Sequence, residues 1–255
     1  MSTEAMIHID NITKFFGAKK VLDGVNLTIN KGETFLIIGR SGAGKTVLLK
    51  NIMGLLRPDS GKVFIDGTDI TQLSRKELER IRLLFGLVFQ SAALFDFLTI
   101  EENVGFYFYQ HTNLKKPEIR QRAKDTLKLV GLEGIEDLYP YQLSGGMKKR
   151  VAIARAIIYN PKIIIYDEPT TGIDPIAVDK VVSLIDDLHK RLGITSLVVT
   201  HDLEVGLKLA DRLAFLLGGR IIFFGDKDNL NNTSDARVIQ FIKGSSAGPI
   251  KETEV

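Results

Sequence analysis

The chain has 255 residues, 44% of them hydrophobic and 25% charged, the composition of a globular protein with material for a full core. A formal net charge of +3 is too small to argue for a nucleic-acid partner, and the absence of cysteine excludes disulfides, thiolate zinc sites and thiol catalysis. The first residues, Met1 to Met6, lack the basic flank and apolar stretch of a signal peptide, and no apolar run reaches membrane-spanning length. The expectation is a cytosolic protein that a partner must hold if it works at a membrane.

The first elements alternate apolar and polar residues. Ile7–Ile12 and Val25–Ile29 predict half-exposed antiparallel strands, and Val63–Ile65 with the turn Asp66-Gly67 belongs to the same small sheet. Three other apolar runs, Phe35–Ile38, Ile163–Tyr166 and Ser196–Thr200, are continuous and rich in β-branched residues, as in parallel strands buried on both faces. The stretch from about Leu98 to Ile158 is mostly helical by periodicity. Within it Glu118–Val130 predicts an amphipathic helix that starts after Pro117 and stops at Gly131. Near the end, Ala214–Leu217 and Ile221–Phe224 flank Gly218-Gly219, a hairpin signal. A helical insert therefore interrupts an α/β core, and the residues beyond Lys243 predict a flexible tail.

Between the strand Phe35–Ile38 and the helix that opens at Thr46 lies Gly39-Arg40-Ser41-Gly42-Ala43-Gly44-Lys45-Thr46, which fits G-x-x-x-x-G-K-[ST] at every fixed position. Glycines let main-chain N–H groups turn inward around a phosphate chain, and the helix dipole behind them favours an anion. Lys45 reaches the β- and γ-phosphates, Thr46 offers its hydroxyl to Mg²⁺, and Val47 continues the helix. The strand Ile163–Tyr166 then ends in Asp167-Glu168-Pro169. Asp167 is placed to support the metal, and Glu168 to orient and deprotonate the attacking water.

With Leu143-Ser144-Gly145-Gly146-Met147, followed by Lys148-Lys149-Arg150-Val151-Ala152-Ile153-Ala154-Arg155-Ala156, the chain resembles the ATP-binding cassette (ABC) family over residues 6 to 242. The resemblance implies an α/β P-loop NTPase fold: a RecA-like core with a parallel central sheet, an antiparallel β subdomain and a helical insert. It implies one nucleotide-binding domain over 1–242, with core 1–90 and 159–242, helical subdomain about 91–158, and tail 243–255. It also implies a homodimer in which Ser144 and the main chain at Gly145, Gly146 and Met147 face the γ-phosphate held by the other subunit; Met147 stands where the family usually has Gln. Phe16, in Thr13-Lys14-Phe15-Phe16-Gly17, matches the aromatic that stacks on adenine, and of Phe15 and Phe16 one is expected in the core. Gln90 matches the Q-loop glutamine that touches Mg²⁺ or the attacking water. Asp174 matches the D-loop at the dimer interface, although Gly172 and Ile173 vary from the usual pattern, and His201 matches the histidine that contacts the γ-phosphate. His8, His111 and His189 lack such context and read as surface or structural.

The run Phe89-Gln90-Ser91-Ala92-Ala93-Leu94-Phe95-Asp96, with Met147, Asp174-Pro175-Ile176, and the end Arg237–Gly244 with Gly248-Pro249, is similar to the Mla-type ATPases that serve bacterial phospholipid transporters. That likeness implies a Mg²⁺-dependent ATPase at the cytoplasmic face of the inner membrane, with an integral-membrane permease, an Mce-domain protein and phospholipid cargo. The permease would dock a short helix at residues 90 to 97, anchored on Phe95 and Phe97. Two alternatives stay open: a cassette for another solute, and a non-transport ABC ATPase. Against the second stand a single cassette and no long coiled coil between P-loop and signature.

Overall fold

The computed structural model describes residues 4–250. Along the chain the elements are β1 (Ala5–Phe16), β2 (Lys19–Asn30), β3 (Thr34–Ile38), α1 (Lys45–Ile52), β4 (Ser60–Ile65), β5 (Thr68–Asp69) and α2 (Arg75–Arg82). Next come β6 (Phe85–Val88), α3 (Ile100–His111), α4 (Lys116–Leu129), α5 (Gly145–Ile157), β7 (Ile163–Asp167) and α6 (Pro175–Leu192). The last are β8 (Thr195–Thr200), α7 (Leu203–Leu209), β9 (Arg212–Leu217), β10 (Arg220–Asp226), α8 (Lys227–Asn231) and α9 (Ala236–Ile242). They form two compact units: one runs to Leu83 and resumes at Thr195, the other spans Leu84–Ile194. The expected helical subdomain, 91–158, lies inside the second unit, which is wider because it also holds β6, β7 and α6.

The first unit carries two sheets. One is antiparallel, in the order β2-β1-β4-β5. Ile7, Ile9 and Ile12 of β1 are fully buried, and the bulge at Asn11, φ +49°, restores the inward phase after Asp10. In the other, β3 runs parallel to both β8 and β9, and β10 closes the edge antiparallel to β9. Every residue of β3 and β8 is buried, the burial on both faces that their continuous apolar runs require. Gly206 of α7 lies so near Leu36 that a β-carbon there would approach its Cδ2 to 2.7 Å. Gly218 and Gly219 both have positive φ, +54° and +77°, as a two-residue type I′ hairpin turn demands. The described part of the tail, 244–250, turns back on α9. Ile250 N–H donates to Gln240 Oε1 at 2.7 Å, and the Gln240 amide donates to the carbonyls of Ser245 and Ile250 at 3.2 Å each. Residues 251–255 of the expected tail lie outside the described residues.

In the second unit β6 pairs parallel with β7. α5 presses on β6 at Gly86, where any β-carbon would meet the Ala156 carbonyl oxygen at 2.5 Å. α3 opens with a capping box between Thr99 and Glu102. α4 starts at Lys116, so Pro117 sits within its first turn rather than ahead of it. Its end, with Val130 as cap and Gly131 at φ +67°, is where the sequence put it.

Candidate nucleotide-binding and hydrolytic sites

The phosphate loop joins β3 to α1. Gly42 and Gly44 have φ +79° and +101°, and a β-carbon on Gly44 would come within 2.9 Å of the Val21 carbonyl. A β-carbon on Gly39 would overlap the Leu216 carbonyl oxygen. Close main-chain approach therefore requires glycine at 39 and 44, and the left-handed φ favours it at 42. Gly44 caps α1 and has no side chain to make a cap hydrogen bond, and the helix dipole at this end favours an anion. The Lys45 ammonium donates to the carbonyls of Gly39 at 2.6 Å and Arg40 at 3.1 Å, lying over the loop it would share with a phosphate chain. Ser41, Gly42 and Thr46 are exposed, Ala43 is buried and Val47 half-buried.

A cavity of about 330 Å³ opens beside the loop, lined by Arg40–Ala43, Gly218, Gly219, Val21, Lys19 and Lys20. The two lysines escaped the sequence reading. Their signal was a basic pair that follows Phe15-Phe16 after two intervening residues. Phe16 ends β1 and is 52% exposed, as a face for a flat ring requires, with the Lys14 ammonium 5.9 Å from its centroid. Phe15 is 41% exposed as well, so the expectation that one of the two is core fails. Both sit at the turn end of the β1–β2 hairpin, where Lys14 and Lys20 approach their rings. His201 follows β8 directly, is exposed, and lines with Arg40 and Gln240 a second cavity of about 380 Å³ in the same unit.

The second unit gathers the other predicted residues. Asp167 ends β7, half-buried. Glu168 follows with φ +51°, a left-handed backbone rare for a residue with a long side chain. Thr171 Oγ1 donates to Glu168 Oε2 at 3.3 Å. Gln90 lies exposed just past β6, and Ala92 and Ala93 after it are both left-handed, φ +63° and +48°. Arg155 of α5 donates to the Ala92 and Ala93 carbonyls at 2.8 and 2.7 Å.

Lys149 was not singled out from the sequence, yet it joins these segments. It is 4% exposed, and its ammonium donates to the carbonyls of Gln90 at 2.5 Å and Glu168 at 3.3 Å. Burial pulls its pKa below the ordinary lysine value, against the opposing pull of the Glu168 charge.

Ser144 caps α5, its hydroxyl accepting from Met147 N–H at 3.3 Å. Asp174 caps α6, accepting from Ala177 N–H at 3.0 Å. Together they line a cleft of about 160 Å³ with Gly146, Met147, Arg150 and Lys180. A β-carbon on Gly146 would stand 2.9 Å from Ala177 Cβ, so glycine there also lets α5 and α6 meet. Of the three remaining histidines His8 and His111 are exposed: His8 Nδ1 contacts Thr28 Oγ1 at 3.0 Å and His111 packs on Tyr107, while His189 Nδ1 contacts the Ile194 carbonyl at 3.0 Å.

Thr46, Gln90 and Asp167 offer only oxygen donors from hydroxyl, amide and carboxylate, the hard chemistry that Mg²⁺ takes beside phosphate. Among the described residues no helix is long and apolar enough to cross a membrane.

Residues 22–171 match the family model described as ABC transporter. The intermembrane phospholipid transport system ATP-binding protein MlaF of Haemophilus influenzae is 43% identical, over 96% of this chain and 93% of that protein. The probable ribonucleotide transport ATP-binding protein mkl of Mycobacterium tuberculosis is 40% identical, over 97% of this chain and 69% of that protein. Among solved structures, the dimeric post-hydrolysis state of an ATP-binding cassette bound to ADP and Pi superposes with a TM-score of 0.79 at 37% identity, covering 87% of this chain and 98% of that one. This chain therefore belongs to the ABC transporter family.

Proposed function

We propose that this chain is the Mg²⁺-dependent ATPase subunit that powers phospholipid transport between membranes, working as a homodimer on a partner permease. The observation that carries the cargo is the nearly end-to-end likeness to a phospholipid transport ATP-binding protein. The Q-loop run Phe89–Asp96 agrees with it. In this reading the chain sits peripherally at the cytoplasmic face of the inner membrane, with an Mce-domain protein in the same assembly.

The chemistry follows from the residue types. Phe16 stacks on adenine. Gly39 to Val47 wrap the phosphates, and Lys45 exchanges its loop carbonyls for the β- and γ-phosphates. Thr46, Gln90 and Asp167 would hold Mg²⁺, which when bound offsets charge on those phosphates. Glu168 orients the attacking water and takes its proton, and His201 contacts the γ-phosphate. Ser144, Gly145, Gly146 and Met147 of one subunit address the nucleotide of the other, with Asp174 beside them. ATP favours the closed dimer, hydrolysis removes that preference, and the permease converts the cycle into movement of lipid.

A groove in the second unit suits the permease. Phe97 is 77% exposed at the rim of a cavity of about 620 Å³, lined also by Leu98, Phe106, Tyr109 and Pro117. Phe95 is half-buried and packs on Phe106 at 4.7 Å, so it supports the rim while Phe97 remains available as an anchor.

Glu168→Gln should lower turnover by roughly 10²- to 10⁴-fold, the usual worth of a general base. Unchanged ATP hydrolysis in that variant would remove Glu168 from the reaction. The cargo is tested by purifying the protein from its native membrane in mild detergent and identifying what accompanies it. A permease, an Mce-domain protein and phospholipid support the proposal. A permease with a solute-binding protein replaces lipid by another solute, the reading favoured by the ribonucleotide name of an almost equally similar relative. No permease at all returns the chain to the non-transport class.

A further inference from the structure

The main chain around the proposed hydrolytic residues is unusual twice over. Ala92, Ala93 and Glu168 adopt left-handed conformations without being glycine, and the alanines have no polar side chain to support the turn locally. Such geometry persists only where the surroundings impose it. Here the carbonyls of Gln90, Ala92, Ala93 and Glu168 all accept from cationic side chains of one helix, Lys149 and Arg155 of α5. That helix opens at Ser144, so the signature serine and both cations ride on a single rigid rod.

Lys149 is the informative member. Lysine is almost never fully buried without a pairing partner, because desolvation penalises the ammonium. This one is 4% exposed, and its hydrogen bonds run to two main-chain oxygens that belong to two different segments. A neutral side chain would fill the space at less cost in desolvation. What the charge adds is a short, directed tether between Gln90 at the end of β6 and Glu168 at the end of β7.

We propose that Lys149 is a positioning residue for ATP hydrolysis, its ammonium tying the main chain of Gln90 to that of Glu168 so that one cation sets both side chains. The inference rests on the proposed roles of Glu168 and Gln90. Lys149 touches neither the phosphates nor the water in this scheme. It fixes the backbone from which the two acting side chains extend, and Arg155 holds the turn that follows Gln90. A displacement of about an ångström at such residues costs on the order of 10²-fold in rate.

The test compares steady-state Mg²⁺-ATP hydrolysis by the purified full-length protein and its Lys149→Met, Lys149→Gln, Lys149→Arg and Glu168→Gln variants, with thermal unfolding of each. Lys149→Met and Lys149→Gln should lose roughly 10- to 10²-fold in kcat with KM changed less than about threefold, and Lys149→Arg should recover most of the loss. Should Lys149→Met not fold, the polar Lys149→Gln decides. A kcat within twofold of the parent for the folded neutral variants, while Glu168→Gln is inactive, overturns the inference and leaves the reading of Glu168 intact. So does a loss shared by kcat, KM and thermal stability that arginine does not repair, which would mark Lys149 as a packing residue only. Full activity in Glu168→Gln would remove the reading beneath it and the inference with it.

Discussion

Glu168 holds φ +51°, a left-handed conformation that costs a residue with a side chain about 1–3 kcal/mol. The acid is legible in the sequence as the residue after an apolar strand, but its backbone is not, because Lys149, 19 residues away, and the following turn both hold its carbonyl. Lys149 itself looks like Lys148 and Arg150 on paper; burial alone separates them. Phe15 and Phe16 err the other way: two adjacent aromatics suggest one inward ring, yet the hairpin end leaves both to lysine ammoniums. Tyr159 supplies a testable case of a group set by its surroundings. Its phenol donates to the Phe85 carbonyl at 2.6 Å, and burial pushes its pKa up to about 12. The folded value lies above the unfolded one near 10, so the folded state binds the extra proton. The stability it contributes is complete below pH 10 and is lost as pH rises towards 12. Denaturant unfolding between pH 9 and 11.5 should show that decline, and Tyr159→Phe should lower stability by about 1 kcal/mol at neutral pH while making the decline shallower. The same slope in both proteins would deny Tyr159 the part.

At the level of elements, the buried strands and the glycine hairpin were legible because period-2 and continuous apolar patterns report burial directly. The start of α4 shifted by two residues, since proline is as comfortable inside a first turn as ahead of it. α2 and its Ser74–Glu77 capping box went unread, although Ser-x-x-Glu is present; its charged sequence offers one buried residue, Leu78, and hence little apolar periodicity. Gly145 and Gly146 read alike as an anion nest, and the packing distinguishes them. The neighbour of Gly146 is Ala177 Cβ at 2.9 Å, which cannot rotate away, whereas Gly145 faces the γ2 methyl of Ile173 at 3.1 Å, a contact relieved by a shift of a few tenths of an ångström. Gly146→Ala should force α5 and α6 apart and cost about 1–3 kcal/mol, while Gly145→Ala should cost less. Thermal unfolding of the two variants checks this; equal midpoints would mean that the helix contact tolerates a methyl group.

For the whole molecule, the family relation carries the expectation of a nucleotide sandwich between two subunits. Light scattering on Glu168→Gln should report a monomer without nucleotide and a dimer with Mg²⁺-ATP, and Ser144→Arg added to that variant should abolish the dimer by blocking the phosphate-facing cap of α5. A Glu168→Gln protein that stays monomeric with ATP would argue against signature-to-phosphate contact across subunits. The sequence by itself determined the phosphate loop, the acidic strand end, the signature and the family, because each is a run of neighbouring residues whose chemistry depends on local spacing and glycine content. Only the tertiary structure decided the lysine tether between Gln90 and Glu168, the helix contact at Gly146, the lysine-lined cavity beside the loop and the turn of 244–250 onto Gln240. Those depend on which distant main-chain oxygens and β-carbons come within a few ångströms, and no local pattern records that distance.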